Sequence, residues 1–330
     1  MSEAVRAALS ALAPRLAPGT TGLAGCRRLS GGASQETWLF ELAAEGESRR
    51  FILRRAPDVQ WQSDLAAGLG TEAALMRLAG AAGVPSPAVV HILAPGDGLG
   101  EGFVMSFVAG ETLGQKIVRD PAFAEARPGL AGQCGRILAA IHRLDAGGVA
   151  GLRLKTNRAK VDALAEAVAG FRERRPVFEL ALRWLAGHVP ADPARPALVH
   201  GDFRNGNLIV GPEGVRAVLD WELAHLGDPR EDLGWIAVNS WRFGAIDLPV
   251  GGFGTREALY AAYAAAGGAP VDAAAVRFFE VLGTLRWGVI CAGNADQLDL
   301  AAANAVERCI IGRRASETEL DLLNLLREAA

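Results

Sequence analysis

The stretch from residue 197 to residue 222 constrains the fold more than any other. It reads Ala-Leu-Val-His-Gly-Asp-Phe-Arg-Asn-Gly-Asn-Leu-Ile-Val, then Gly-Pro-Glu-Gly, then Val-Arg-Ala-Val-Leu-Asp-Trp-Glu. Two short apolar runs, Leu208 to Val210 and Val215 to Leu219, flank a Pro-Glu-Gly turn, which is the pattern of a hairpin. Closing that hairpin draws three polar residues together: Asp202 on the loop before the first strand, Asn207 at the end of that loop, and Asp220 at the close of the second strand. Two acids and an amide are hard oxygen donors. They suit phosphoryl transfer, where the protein's task is positioning and the neutralisation of spreading negative charge. One carboxylate accepts the hydrogen bond of an attacking hydroxyl. The other carboxylate and the amide carbonyl are ligands for Mg²⁺ on nucleotide phosphates.

The residues before this stretch divide into a strand-rich part and a helical part. Ser2 caps a first helix with Val5, Leu9, Leu12 and Leu16 at helical spacing, stopped by Pro18-Gly19. Strand patterns follow at Leu23 to Leu29, Thr37 to Leu42 and Phe51 to Leu53, forming a small antiparallel sheet. Ser30-Gly31-Gly32-Ala33-Ser34 interrupts the first hairpin. Gly31, Gly32 and Ser34 lack bulk, so backbone N–H groups there can approach phosphate oxygens, although a tight turn uses the same residues. A helix is expected from Thr71 to about Ala81. Two further strands, Ala88 to Leu93 and Phe103 to Val108, bracket Gly96-Asp97-Gly98 before Gly110. Beyond it the pattern is helical: about 127 to 144, segments between 160 and 185, and then about 230 to 240, 255 to 266, 272 to 293, 297 to 312 and 316 to 328.

Composition excludes several classes. With 330 residues, half of them apolar, the chain can bury a large core. A formal net charge of -3 supplies no basic field for nucleic acid and no polybasic membrane anchor, so the expected partner is a small molecule. Cys26, Cys134, Cys291 and Cys309 show no paired spacing, which argues against a disulfide framework or a zinc site. No leader or continuous apolar span is apparent, and a cytoplasmic location is expected.

His200-Gly201-Asp202, then after four intervening residues Asn207, and Asp220-Trp221-Glu222 resemble the catalytic and metal loops of the aminoglycoside phosphotransferase and choline kinase family, relatives of the protein kinases. Trp221-Glu222, Gly227-Asp228-Pro229 and Asp232-Leu233 are most similar to bacterial kinases related to the kinase-like domains of acyl-CoA dehydrogenase fusions. The resemblance implies an α+β, protein-kinase-like fold of two lobes, residues 1 to 109 binding nucleotide and residues 110 to 330 carrying the catalytic loop and substrate helices. It implies ATP and Mg²⁺ as cofactors, Asp202 as base, and Asn207 and Asp220 as metal ligands. Arg54 stands where the family usually has a lysine that contacts the phosphates, and the two are not interchangeable. Glu72 is placed to pair with Arg54, or to favour the positive end of its helix. Met105 would lie behind the adenine, with Ser106 and Val108 as backbone partners along an exposed strand edge. His200 is expected to hold the loop, Asp228 and Asp232 to cap backbone N–H groups, and Glu222 to lie beside the metal acid.

The acceptor leaves a fainter trace. Ser240-Trp241-Arg242-Phe243 and Leu285-Arg286-Trp287 each pair an arginine with large aromatic residues, a combination that suits an anion with an apolar body. The opposing reading makes Trp241 and Trp287 core residues and pairs Arg242 and Arg286 with Glu280 and Glu231. An aminoglycoside pocket would need several acids, and a choline pocket an aromatic cage with acidic support. The sequence therefore points to a kinase for a hydroxylated acid or its acyl-CoA thioester. An antibiotic kinase, a non-catalytic nucleotide-binding module and a protein kinase are the alternatives. The span between Asp220 and Gly227 is too short for a long activation loop.

Overall fold

A computed structural model describes residues 2–29, 35–44, 47–56, 67–302 and 304–328. Helix α1 (Ser2–Leu16) buries Val5, Leu9 and Leu12, one stripe at helical spacing, against the sheet residues Trp38, Phe40, Leu42, Phe51 and Leu53. That sheet holds β1 (Thr20–Arg28), β2 (Glu36–Ala44) and β3 (Glu47–Ala56); after α2 (Leu69–Ala81) it adds β4 (Val89–Ile92) and β5 (Glu101–Ser106). Its order is β1-β2-β3-β5-β4 and every pairing is antiparallel. Alternation along β2 sends Trp38, Phe40 and Leu42 to the α1 face, and Phe40 stacks on its cross-strand partner Phe51 at 5.5 Å between centroids. Alternation also separates the two arginines of β3. Arg55 bonds Glu36 on one face, and Arg54 points to the other.

One expectation is corrected here. β5 lies between β3 and β4, so it offers no free edge over its length. The Ser106 N–H donates to the Ala88 carbonyl at 2.8 Å and the Ser106 hydroxyl accepts from the Ala88 N–H, which ties these two groups, though not the carbonyl, to Ala88. Met105 is buried in the core. Val108 lies past the end of the strand.

The helical part begins with α3 (Gly114–Arg119) and α4 (Arg127–His142), continues through α5 (Asn157–Ala169) and α6 (Pro176–Gly187), and receives the catalytic stretch as β6 (Ala197–Val199), β7 (Leu208–Gly211), β8 (Gly214–Val218) and β9 (His225–Gly227). It closes with α7 (Arg230–Trp235), α8 (Arg256–Ala265), α9 (Ala273–Asp296), α10 (Ala305–Gly312) and α11 (Ala315–Glu328). Two helices are shorter than their patterns suggest. Val238 is extended (ψ 134°), which separates α7 from a 3₁₀ turn at Asn239–Trp241. Before α10, the Asp299 carboxylate takes the Ala301 N–H and the Asp299 carbonyl takes that of Ala302, a turn that competes with helix. Among the described residues no helix is long and apolar enough to cross a membrane.

The two parts are joined at Gly110, where φ is 154° and a Cβ would meet the Val210 carbonyl oxygen at 2.9 Å. Next to it, Glu111 and Val210 exchange both backbone hydrogen bonds at 2.9 Å, so the connection is sewn onto β7.

Candidate active site

β7 and β8 pair Leu208 with Val218, and the Leu219 N–H bonds the Asn207 carbonyl at 2.8 Å. That register places Asn207 and Asp220 at the same end of the hairpin. Asn207 turns back: its Nδ2 donates to the Asp202 carbonyl at 3.0 Å and to Asp202 Oδ2 at 2.6 Å, so its own Oδ1 is the atom left for a ligand. The Asp202 Oδ1 accepts from Trp235 Nε1 at 2.8 Å and from Arg204 Nε at 3.0 Å. Four donor contacts thus fix the candidate base.

Asp220 adopts φ 67°, a left-handed conformation in which a non-glycine residue is held only by its surroundings. Part of the hold is Arg54, whose Nη1 and Nη2 reach Asp220 Oδ1 at 3.3 and 3.2 Å. The same guanidinium contacts Glu72 Oε1 at 2.9 Å, the pairing suggested by the position of Glu72 at the start of α2. Its Nη2 also donates to Gln35 Oε1 at 2.7 Å, while Gln35 Nε2 leans on Glu222 at 3.4 Å. Three acids here face one cation. Burial, with Asp220 and Glu222 nearby, pushes the Glu72 carboxyl up to about 7 against the opposing pull of Arg54. Burial and then Asp220 push Glu222 up to about 7 as well. Gly31, Gly32 and Ser34 lie outside the described residues.

The loop that carries Asp202 is braced from α7. Asp232, fully buried, accepts the His200 N–H on Oδ2 at 2.8 Å and the Gly201 N–H on Oδ1 at 2.9 Å. His142 Nε2 reaches the same Oδ2 at 3.1 Å, with its Nδ1 on the Tyr263 hydroxyl. Against the upward push of burial, the hydrogen bond and charge of His142 hold the Asp232 carboxyl below its ordinary value. Gly201 has φ 78°, and a Cβ there would come within 2.5 Å of the Leu223 carbonyl oxygen, so the turn before the base needs glycine. His200 Nδ1 accepts the Asp202 N–H, which leaves Nε2 to donate to the Leu219 carbonyl at 3.1 Å; burial lowers the imidazole's pKa and keeps this neutral form. Asp228 braces the next turn through Asn157 Nδ2 at 2.9 Å and the Arg230 N–H at 3.0 Å.

Beyond the base lies an aromatic wall. Trp241 packs between Trp235 and Trp287, with centroids 5.2 and 5.0 Å away. The indole N–H groups of Trp241 and Trp287 are buried and have no acceptor among the described residues. Arg242 is committed elsewhere: Nη2 holds Glu280 at 3.0 Å and the Ala237 carbonyl at 2.6 Å, the pairing of the opposing reading. Arg286 lies over Trp235, donates to the Gly201 carbonyl at 3.0 Å and sits 3.7 Å from Glu231. The cation that stands at the base is Arg204, its guanidinium 4.6 Å from the Trp241 ring centre. Arg204 and Trp235 were not singled out in the sequence. The signal for Arg204 was its place two residues after Asp202, whereas nothing in the sequence marks Trp235 as a partner of the base.

A model of the phosphotransferase enzyme family matches residues 25–279. The chain belongs to that family. It is a family of phosphotransferase enzymes. The fold is that of a Ralstonia eutropha protein assigned as an aminoglycoside phosphotransferase, with a TM-score of 0.74 at 21% identity over 99% of this chain and 98% of that one. A choline/ethanolamine kinase family protein from Mesorhizobium loti matches at 0.62 and 22% over 98% and 94% of the two chains. Among curated proteins, the probable acyl-CoA dehydrogenase IBR3 of Arabidopsis thaliana is 28% identical over 84% of this chain. Acyl-CoA dehydrogenase family member 10 of Mus musculus is 30% identical over 62% of it. The matches span 37% and 19% of those two proteins.

Proposed function

We propose that this phosphotransferase moves the γ-phosphoryl group of ATP to a hydroxyl of a small acyl compound, a hydroxy acid or a hydroxyacyl-CoA. The observation that carries the phosphoryl-transfer reading is Asn207. Its amide nitrogen grips the backbone and carboxylate of Asp202, while its backbone is bonded to the residue before Asp220. One side chain therefore ties the base to the metal end of the hairpin. Asp202 takes the proton of the acceptor hydroxyl as the new O–P bond forms and ADP leaves.

The residues fit a divalent cation. Asn207 Oδ1 and the Asp220 carboxylate, 29% exposed, are hard oxygen donors, and the raised carboxyls of Glu72 and Glu222 mark a site short of positive charge. Mg²⁺ bound there neutralises the charge of the transferring phosphoryl group. Val108, beyond the paired part of β5, has the backbone position to meet a base.

The acyl reading draws on Arg204 and the wall of Trp235, Trp241 and Trp287, and on the curated relatives, which are acyl-CoA dehydrogenases. The Arg204 fork suits acyl oxygens, whereas a polyamine would need acids there. Cys26, Cys134, Cys291 and Cys309 are all free thiols, in keeping with a cytoplasmic setting. ADP release by the purified protein, screened over hydroxy acids, their CoA thioesters, aminoglycosides and choline, tests the reading. Efficient turnover of an acyl compound is expected; efficient turnover of aminoglycosides or choline instead would overturn it.

A further inference from the structure

We propose that Arg54 is a built-in stand-in for the metal ion: with the nucleotide site empty it covers the carboxylate oxygen of Asp220 that a divalent cation needs, and it releases that oxygen when nucleotide phosphates arrive. This inference rests on the phosphoryl-transfer reading above. A lysine at this point of β3 presents one ammonium. Arginine presents a fork, which here reaches three partners at once: Glu72 at 2.9 Å, Gln35 at 2.7 Å, and Asp220 Oδ1 through both terminal nitrogens at 3.2 and 3.3 Å. The Arg54 side chain is only 13% exposed, so little water competes for these contacts.

The consequence is an exchange of partners. A free divalent ion that approaches Asp220 must displace a guanidinium from Oδ1, losing a charge-assisted hydrogen bond in a poorly hydrated site. A phosphate oxygen offers Arg54 an anion of better match for its fork and so uncovers Asp220. Nucleotide and metal then favour one another's binding beyond what the metal–phosphate contact itself supplies, and that added share of the coupling resides in one side chain. Glu72 and Gln35 keep the guanidinium within reach of both positions. Arg54 is on this account a positioning residue that sets the order of events at the metal site.

The test is calorimetric titration of Mg²⁺ into the nucleotide-free protein, and of ADP with and without Mg²⁺, for the wild type, Arg54→Lys and Arg54→Met. The wild type is expected to bind free Mg²⁺ weakly and to bind ADP at least ~10-fold more tightly with Mg²⁺ present. Arg54→Met is expected to bind free Mg²⁺ ~10-fold more tightly than wild type, with Arg54→Lys between them, and in both the coupling to ADP falls below the wild-type value, down to the share that metal–phosphate contact supplies. Free Mg²⁺ bound no more tightly by a variant whose melting shows it folded would overturn the inference. So would wild-type Mg²⁺ and ADP binding that proves independent, a result that needs no variant to fold. Asp220→Asn separates the two levels: Mg²⁺ binding that survives this change refutes the metal assignment itself, and not only the part given to Arg54.

Discussion

Replacing Asp232 with asparagine should damage both stability and turnover while sparing the nucleotide. The carboxylate is fully buried and meets only donors: the backbone N–H groups of His200 and Gly201 at 2.8 and 2.9 Å, and His142 Nε2 at 3.1 Å. An amide has one oxygen, so its NH₂ must face at least one of those N–H groups and leave it without an acceptor. Each buried donor so stranded costs about 1–3 kcal/mol, and the lost charge weakens the bond that remains, giving a total of about 2–4 kcal/mol. The residues released are the two that precede Asp202. A displacement of the base of about 1 Å lowers turnover up to ~10²-fold. Urea unfolding and ADP release with the best acceptor measure the two effects. The pH dependence has a definite sign: the Asp232 carboxyl is held below its ordinary value of 3.8, so its contribution is present above that value and is lost only as pH falls further. The gap between wild type and variant should therefore be constant from pH 6 to 8 and close in acid. A change under about 0.5 kcal/mol with turnover intact would refute the bracing role.

Asp202→Asn should keep the fold and nucleotide binding yet lose nearly all turnover, because shape is preserved while proton acceptance is lost; turnover within a few fold of wild type removes Asp202 as base. Asp220→Ala should abolish the Mg²⁺-dependent part of ATP binding, read by calorimetry with ATP present, and an unchanged metal requirement would place the metal elsewhere. Arg204→Gln should raise the KM for an acyl acceptor on the order of 10-fold or more with ATP affinity unchanged; equal effects on a neutral alcohol would show that Arg204 acts only through Asp202. In Glu72 the carboxyl is raised from 4.5 to about 7, so the wild type loses stability as pH rises through that window, by on the order of 3 kcal/mol. Glu72→Gln should flatten this part of the profile in urea unfolding, and parallel profiles would exclude Glu72 as its source.

The hairpin and its polar ends were legible because period-2 alternation, a Pro-Glu-Gly turn and a fixed spacing are local signals. The pairing of Arg54 with Glu72 was one of two readings that the family resemblance left open, and alternation along β3, which turns Arg54 rather than Arg55 toward α2, realises it. What escaped was decided by long-range neighbours. Ser106 is taken up by Ala88, which the sequence leaves open because strand order in a sheet is not encoded locally. For Arg242 the sequence offered both an anion and Glu280 as partner, and Glu280, 38 positions away, is the one it meets. Trp235 reads as one more apolar residue of α7, and only the packing of α7 beneath the catalytic loop brings its N–H to Asp202. Buried ion pairs and indole donors are settled by tertiary packing, and a single chain carries no mark of which partner wins.

The backbone exchange between Glu111 and Val210 bears on how nucleotide gets in and out. Further main-chain bonds run from Val218 to Pro85 and from Ala67 to Glu222, so the segment that bears Asp220 is stapled to the strand-rich half at two places and to the connection at a third. Many kinases draw on nucleotide affinity to swing their halves together. Here the angle between the halves is set by covalent neighbours and main-chain bonds before any ligand arrives, and opening about Gly110 would tear them. On the proposed function, less of the nucleotide's binding free energy would then be drawn into bringing the halves together.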